Sequence, residues 1–333
     1  MPLDPQVAAY RAQRVADAVV PLYTQSLAEA RAADLAAIQA GGGAVEPVHQ
    51  VTDRSVPGPA GELPIRIYRP AGVGPLPTLV WFFGGGWTLG SIETSDGICR
   101  RLANAVPCQV ITVGYRLAPE HRFPAAVHDC HHAVRWIAEH ADELGVDPAR
   151  LAVGGDSAGG NLTAAVTLLA RAEGGPRLAA QLLVYPNTDY RGDTQSMRDC
   201  DDPALFNRTS VGWYWGHYLA DPADGYDPLA SPLLAEDHAG LPSALVITAE
   251  YDPLRDEGEA YAHRLRAAGV PTELTRYDGM VHGFFAMSGM LDGGRRALAQ
   301  AADYLRERLA PVDGSDEATV DLGQPVGSRP ADG

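Results

Sequence analysis

The amino-acid sequence predicts an α/β fold: a mostly parallel central sheet flanked by helices, with a helical cap. Three observations carry that expectation. Five runs, Leu76 to Phe83, Gln109 to Tyr115, Leu151 to Gly154, Ala180 to Tyr185 and Ala244 to Ala249, have strand length and are apolar enough to be covered on both faces. Helix-prone stretches such as Ala125 to Leu144 and Asp256 to Ala268 lie between them, and alternation of this kind argues for parallel strands joined by helical crossovers. The 333 residues, 46% hydrophobic and 20% charged, suffice for one large core.

Taken in order, residues 4–40 carry apolar residues at helical spacing (Val7, Tyr10, Val15, Val19, Leu22), broken at Pro21 and stopped by Gly41 to Gly43. They predict two helices ahead of the sheet, and residues 1–44 are assigned to a cap. From Val45 to Arg69 the texture changes. Leu63, Ile65 and Ile67 alternate with Pro64, Arg66 and Tyr68, the period of a half-buried strand, so an antiparallel start is expected. Residues 45–186 then form the first part of the core. Residues 187–240, rich in Asp, Pro and aromatics, break the alternation and read as a cap insertion. Insertions after strand carboxyl ends lie over the site in such sheets. Residues 241–310 complete the core, with a strand-like run from Thr272 to Tyr277 and a closing helix over 293–309. The tail 311–333 lacks periodicity and is expected to be disordered.

Composition excludes several functions. The formal charge of −16 leaves no cationic surplus to replace phosphate counterions, so nucleic acid is not an expected partner. No lysine occurs, which removes a lysine Schiff base and a Walker A loop. Cys99, Cys108, Cys130 and Cys200 form no CxxC pair or cluster with histidine, so no metal site and no disulfide framework is expected. His128 and His132 are spaced i, i+4 but lack an H-E-x-x-H context. No signal-like N-terminus and no long apolar span are visible, which predicts a cytoplasmic protein without membrane association, a monomer or homodimer.

The chemistry-bearing stretch is Gly155-Asp156-Ser157-Ala158-Gly159, where an apolar strand meets a helix through a serine between glycines. Such a turn projects the hydroxyl and sets the next backbone N–H at a helix N-terminus. A serine nucleophile needs a base and a group to orient that base. In chain order after later strands come Asp252, chosen over Asp256 because Asp256 reads as a helix cap, and His282, between flexible glycines. Gly84-Gly85-Gly86, after the Leu76 to Phe83 run, can turn backbone N–H groups inward, so Gly85, Gly86 and Ala158 are the expected oxyanion donors.

Together with Gly84-Gly85-Gly86-Trp87, the stretches Tyr115-Arg116-Leu117-Ala118-Pro119-Glu120-His121-Arg122-Phe123-Pro124-Ala125-Ala126, Gly155 to Asn161, Asp252-Pro253-Leu254-Arg255-Asp256 and His282-Gly283-Phe284 resemble the hormone-sensitive-lipase-like branch of the α/β-hydrolase esterases. The resemblance spans about residues 45–310. It implies an α/β-hydrolase fold and a serine carboxylesterase with Ser157, Asp252 and His282 as triad. It also implies a cap of N-terminal helices plus a later insertion, a small-molecule ester substrate of short to medium acyl length, and no cofactor. Among the cap aromatics Phe206, Trp213, Tyr214, Trp215 and Tyr218, most would pack a helix onto the domain. Trp213 and Trp215, with Trp87, are the candidates to line an acyl or aryl pocket. One residue departs from the family: Phe83 stands where its members usually carry histidine, so the glycine loop must be held by packing or by other groups. An amidase or arylformamidase with the same triad, and a ligand-binding receptor on the same fold, are the alternatives.

Overall fold

The computed structural model describes residues 2–311, so all but the first residue of the expected tail lies outside the described residues. Helix α1 (Pro5–Ala16) begins where Asp4 accepts the Gln6 N–H, with proline in the first turn. Helix α2 (Leu27–Gly42) starts from a capping box of Ser26 and Glu29 and ends at Gly43, whose φ of 77° only glycine takes freely. The strands and helices that follow are β1 (Gln50–Gly58), β2 (Gly61–Arg69), β3 (Leu76–Phe82), α3 (Ile92–Ala105), β4 (Gln109–Val113), α4 (Ala125–Glu139) and the single-turn α5 (Ala141–Leu144). Next come β5 (Val146–Asp156), α6 (Ala158–Ala172), β6 (Ala180–Val184), α7 (Gln195–Asp199) and α8 (Arg208–Tyr218). Strand β7 (Ser243–Tyr251), α9 (Arg255–Ala267), β8 (Thr272–Val281) and α10 (Asp292–Arg308) complete the chain.

The eight strands form one sheet in the order β1-β2-β4-β3-β5-β6-β7-β8. The β1–β2 and β2–β4 pairs are antiparallel, and the five pairs from β4–β3 to β7–β8 are parallel. The alternation of Leu63, Ile65 and Ile67 is met in β2, where all three are buried. Side chains alternate across the parallel strands as their period demands. Val80, Phe82, Ile111 and Val153 face α4 and α6, whereas Leu79, Trp81, Val110 and Ala152 face α3 and α10. Helix α6 is buried on nearly all sides, which its Gly, Ala and Leu composition allows.

Strand order places the site. Strand β3 has β4 on one side and β5 on the other, so the chain reverses its direction of travel there and opens a crevice at the strand carboxyl ends. Phe82 is level with Gly155, which brings the Gly84 loop and Ser157 side by side. Tyr251 is level with Val281, so Asp252 and His282, each the next residue, also emerge together.

The turn that carries Ser157 tolerates no extra atom. A Cβ at Gly159 would overlap the Phe82 carbonyl oxygen, and one at Gly155 would overlap the Gly159 backbone. Gly216, inside α8, faces open space. Gly159→Ala is therefore expected to cost about 3 kcal/mol or more, and Gly216→Ala to gain about 1 kcal/mol from helix propensity. Denaturant melts of the two variants check this contrast.

Candidate active site

Ser157 is the first residue past β5 and sits at φ 55° and ψ −119°, a conformation few non-glycine residues adopt. Its backbone N–H donates to the Val184 carbonyl at 2.8 Å, which clamps the strained turn to β6. The Ser157 hydroxyl lies 2.9 Å from His282 Nε2. His282 Nδ1 lies 2.7 Å from Asp252 Oδ2, and Asp252 Oδ1 accepts the Leu254 N–H at 2.9 Å. Asp252 is wholly buried and Ser157 only 7% exposed. A buried carboxylate on Nδ1 leaves Nε2 as the acceptor of the serine proton. The structure thus brings together Ser157, His282 and Asp252. Asp256 does not cap α9: the helix begins one residue earlier, and the Asp256 carboxylate accepts the Ser196 N–H of α7 at 2.7 Å.

The glycine loop lies beside the serine. Gly85 and Gly86 take φ of 104° and 57°, and no hydrogen bond from either N–H occurs among the described residues. Ala158 opens α6, so its N–H is likewise unclaimed by the helix ladder. The packing that replaces the usual histidine is explicit. Phe83 is buried and stacked on Tyr115, with ring centroids 4.2 Å apart. The Tyr115 hydroxyl donates to the Phe83 carbonyl at 2.7 Å, and the Gly84 N–H donates to Asp156 Oδ1 at 3.1 Å. Burial pushes the Asp156 carboxyl up to about 6, opposed by His282 and by the Gly84 N–H.

The segment from Tyr115 to Ala126 fastens the loop to the covering helices. Ala118 N–H donates to the Trp87 carbonyl at 2.8 Å, and Arg116 forks onto Asp129. Glu120 takes two bonds from Arg31 of α2, each 2.8 Å, while Arg122 bonds the Leu219 carbonyl and Phe123 N–H the Tyr218 carbonyl beyond and within α8. Asn161, fully buried in α6, donates to the Asn187 and Ala230 carbonyls and so joins the first residue of the 187–240 segment to a point further along it. The stretch Gly155 to Asn161 gave no hint of this, because both partners are distant in sequence.

Trp87 and Trp215 lie in a buried ring cluster with Tyr218, at centroid distances of 4.6 and 4.1 Å from Trp87. Trp213 meets Tyr214 and His217. The rings that meet the site itself are three others: Phe206 stacks on His282 at 4.1 Å, Tyr185 lies 4.6 Å from the same imidazole, and Tyr214 covers Gly86, where a Cβ would overlap its ring. Among the described residues, no group of three or more His, Cys, Asp or Glu side chains could hold a metal, and no helix is long and apolar enough to cross a membrane.

The Asp156 shift has a sign that can be measured. Its folded carboxyl holds a proton more strongly than an unfolded one of ordinary value 3.8, so stability is lost as pH rises through about 6. Asp156→Asn keeps an oxygen for Gly84 but cannot ionise. Its melting temperature is expected to gain on the wild type steadily from about pH 4 to 7, whereas a constant gap would show that Asp156 stays ionised.

Known proteins resemble the chain over most of its length. A family model described as alpha/beta hydrolase fold matches residues 79–286. Carboxylic ester hydrolase LipN of Mycobacterium tuberculosis is 47% identical over 268 residues, covering 79% of this chain and 71% of its own. An arylesterase of Saccharolobus solfataricus is 47% identical over 240 residues, covering 72% of this chain and 78% of its own. Among solved structures, a hyperthermophilic esterase from the archaeon Pyrobaculum calidifontis superposes with a TM-score of 0.87 at 41% identity, over 92% of this chain and 99% of that one. The chain therefore belongs to the α/β-hydrolase family, in its hormone-sensitive-lipase-like branch.

Proposed function

We propose that this chain hydrolyses small carboxylic esters with Ser157 as nucleophile, His282 as general base and acid, and Asp252 as the group that orients His282. The observation that carries the reading is the unbroken line from Ser157 Oγ to His282 Nε2 to Asp252 Oδ2, at 2.9 and 2.7 Å. The carboxylesterase class is supported by kinship with the ester hydrolases named above.

In the first half-reaction the Ser157 hydroxyl gives its proton to His282 as its oxygen attacks the ester carbonyl carbon. The imidazolium that forms is held by the Asp252 carboxylate. The carbonyl oxygen, now anionic, takes the N–H groups of Gly85, Gly86 and Ala158, and the dipole of α6 favours the same charge. Collapse of the intermediate breaks the bond to the alcohol oxygen, which leaves with the proton from His282. Water, deprotonated by His282, then attacks the acyl-enzyme and releases the acid, which restores Ser157. Residues 1–44 and 187–240 act as one cap, which is supported by the shared apolar contact of Leu22, Leu27 and Ala30 with Phe206 and Tyr214. The reading keeps a short to medium acyl preference, a cytoplasmic location and a monomer or homodimer, on the sequence grounds given above.

Hydrolysis of p-nitrophenyl butyrate, with the matched anilide alongside, tests the reading. Ser157→Ala and His282→Ala are each expected to lower kcat by about 10⁴ or more, with the folded state intact. An active Ser157→Ala would sink the assignment, and preference for the anilide would turn it to an amidase. The glycine loop makes a second prediction. Because Tyr115 and Asp156 already hold it, Phe83→His is expected to change kcat by less than about threefold, whereas Tyr115→Phe lowers it about tenfold. A large gain in kcat from Phe83→His would show that the loop is under-held in this chain.

A further inference from the structure

Helix α8 has two working faces, and the hydrolysis above uses one of them. Tyr214 turns toward Gly86. Arg208, Val211, Gly212, Trp215, Gly216 and Leu219, three or four residues apart, instead line an open cavity of about 770 Å³ on another side of the helix. Among the described residues that border it are neither the triad, nor the glycine loop, nor Phe206. One wall is aromatic. Tyr190 meets Trp215 edge-on at 5.4 Å and Tyr226 edge-on at 5.8 Å, and its ring is seated on Gly225, where a Cβ would overlap it. On the helix side the space is kept by Gly212 and Gly216, since a Cβ at either would meet nothing within 4 Å.

In a chain of net charge −16 this lining is cationic. Arg122, Arg191 and Arg208 border the cavity, and among the described residues no Asp or Glu side chain does. The buried Asp189 grips Arg191 at Nε and Nη2, at 3.0 and 2.6 Å, which fixes the guanidinium and leaves Nη1 without a partner among the described residues. Arg122 is tied through Nη1 alone, to the Gly216 and Leu219 carbonyls. Arg208, exposed at the start of α8, makes no side-chain hydrogen bond or ion pair among the described residues. Three guanidiniums thus keep N–H groups to spare around a solvent-accessible aromatic cavity. We infer that this cavity is a second ligand site, for an aryl carboxylate: the rings take the flat apolar body and the arginine N–H groups take the carboxylate oxygens. Only Arg208 is wholly free, and its fork matches the two oxygens of one carboxylate. A phosphate dianion costs more to strip of water against aromatic walls. The inference goes beyond ester hydrolysis and does not depend on it.

Isothermal titration calorimetry with 4-phenylbutyrate, 4-phenyl-1-butanol and phenyl phosphate tests the site in the wild type, Gly216→Leu and Arg208→Gln. The acid is expected to bind the wild type with a Kd below about 1 mM, and the alcohol about tenfold more weakly or less, since it lacks the charge. Gly216→Leu sends a side chain into the cavity from a Cβ that meets nothing, and Arg208→Gln removes the free guanidinium. Each is expected to weaken acid binding about tenfold or more. Leucine favours a helix over glycine, so Gly216→Leu is expected to melt no lower than wild type, which separates lost binding from lost folding. No binding of the acid to the wild type, or binding that both variants leave within about twofold, overturns the inference. Equal affinity for acid and alcohol overturns the role of the arginines, and tighter binding of phenyl phosphate overturns the choice of carboxylate. The last readout is KM for p-nitrophenyl butyrate, expected to stay within about twofold in Gly216→Leu. A rise in KM that tracks the loss of acid binding would make the cavity an arm of the ester crevice and overturn its separate standing. A wild-type protein that hydrolyses no ester overturns the earlier reading and leaves the calorimetry to decide this one.

Discussion

Everything at this site depends on how closely two backbones approach at the switch point of the sheet. The turn after β5 passes within contact of the end of β3, and the carbonyl of Phe82 occupies the space a side chain at residue 159 would need. Only glycine at 155 and 159 allows that approach, which brings the turn of Ser157 beside the loop that begins at Gly84. The cost is the left-handed backbone of Ser157, held by the hydrogen bond from its N–H to Val184 and by the register of β5 with β6. The other half of the line follows from a second register. Tyr251 and Val281 are paired, so the carboxylate and imidazole that follow them meet at the ends of adjacent strands.

The glycine loop shows how one missing polar group is replaced. A histidine before the glycines could hold the backbone by a ring nitrogen. Here the work is divided: Tyr115 supplies a donor to the Phe83 carbonyl, Asp156 supplies an acceptor to the Gly84 N–H, and the Phe83 ring adds stacking area. Gly90 leaves room for the Phe83 ring and the Gly84 carbonyl, so the loop closes on itself. Two hydrogen bonds and an aromatic pair, each modest alone, restrain a short glycine segment that would otherwise sample many conformations.

The core strands and the residues at their ends were legible because their signals are local. An apolar run followed at once by glycine, aspartate or histidine marks where a buried strand ends and a loop begins, and Ser157, Asp252 and His282 each stand at such a point. The β1 strand and α3 were less legible, since β1 buries only Val56 and α3 carries Gly97 in its interior, which weakens its helical signal. Asp256 read as a helix cap because its place before a helix is typical, yet a distant backbone N–H at Ser196 claims its carboxylate. The same limit applies to the aromatics of the 187–240 segment. Trp213 and Trp215 stood out by size, but which rings of α8 face the glycine loop depends on how α2 packs against that helix, a contact between segments far apart in sequence.

The stacking of Phe206 on His282 ties the 187–240 segment to the imidazole. Phe206 belongs to a loop that Arg14 of α1 holds through the Ala204 carbonyl at 2.7 Å and that Arg11 holds through Asp202. The ring over the imidazole is thereby placed by the first helix of the chain, so a substitution at Arg11 or Arg14 reaches His282 without touching the sheet.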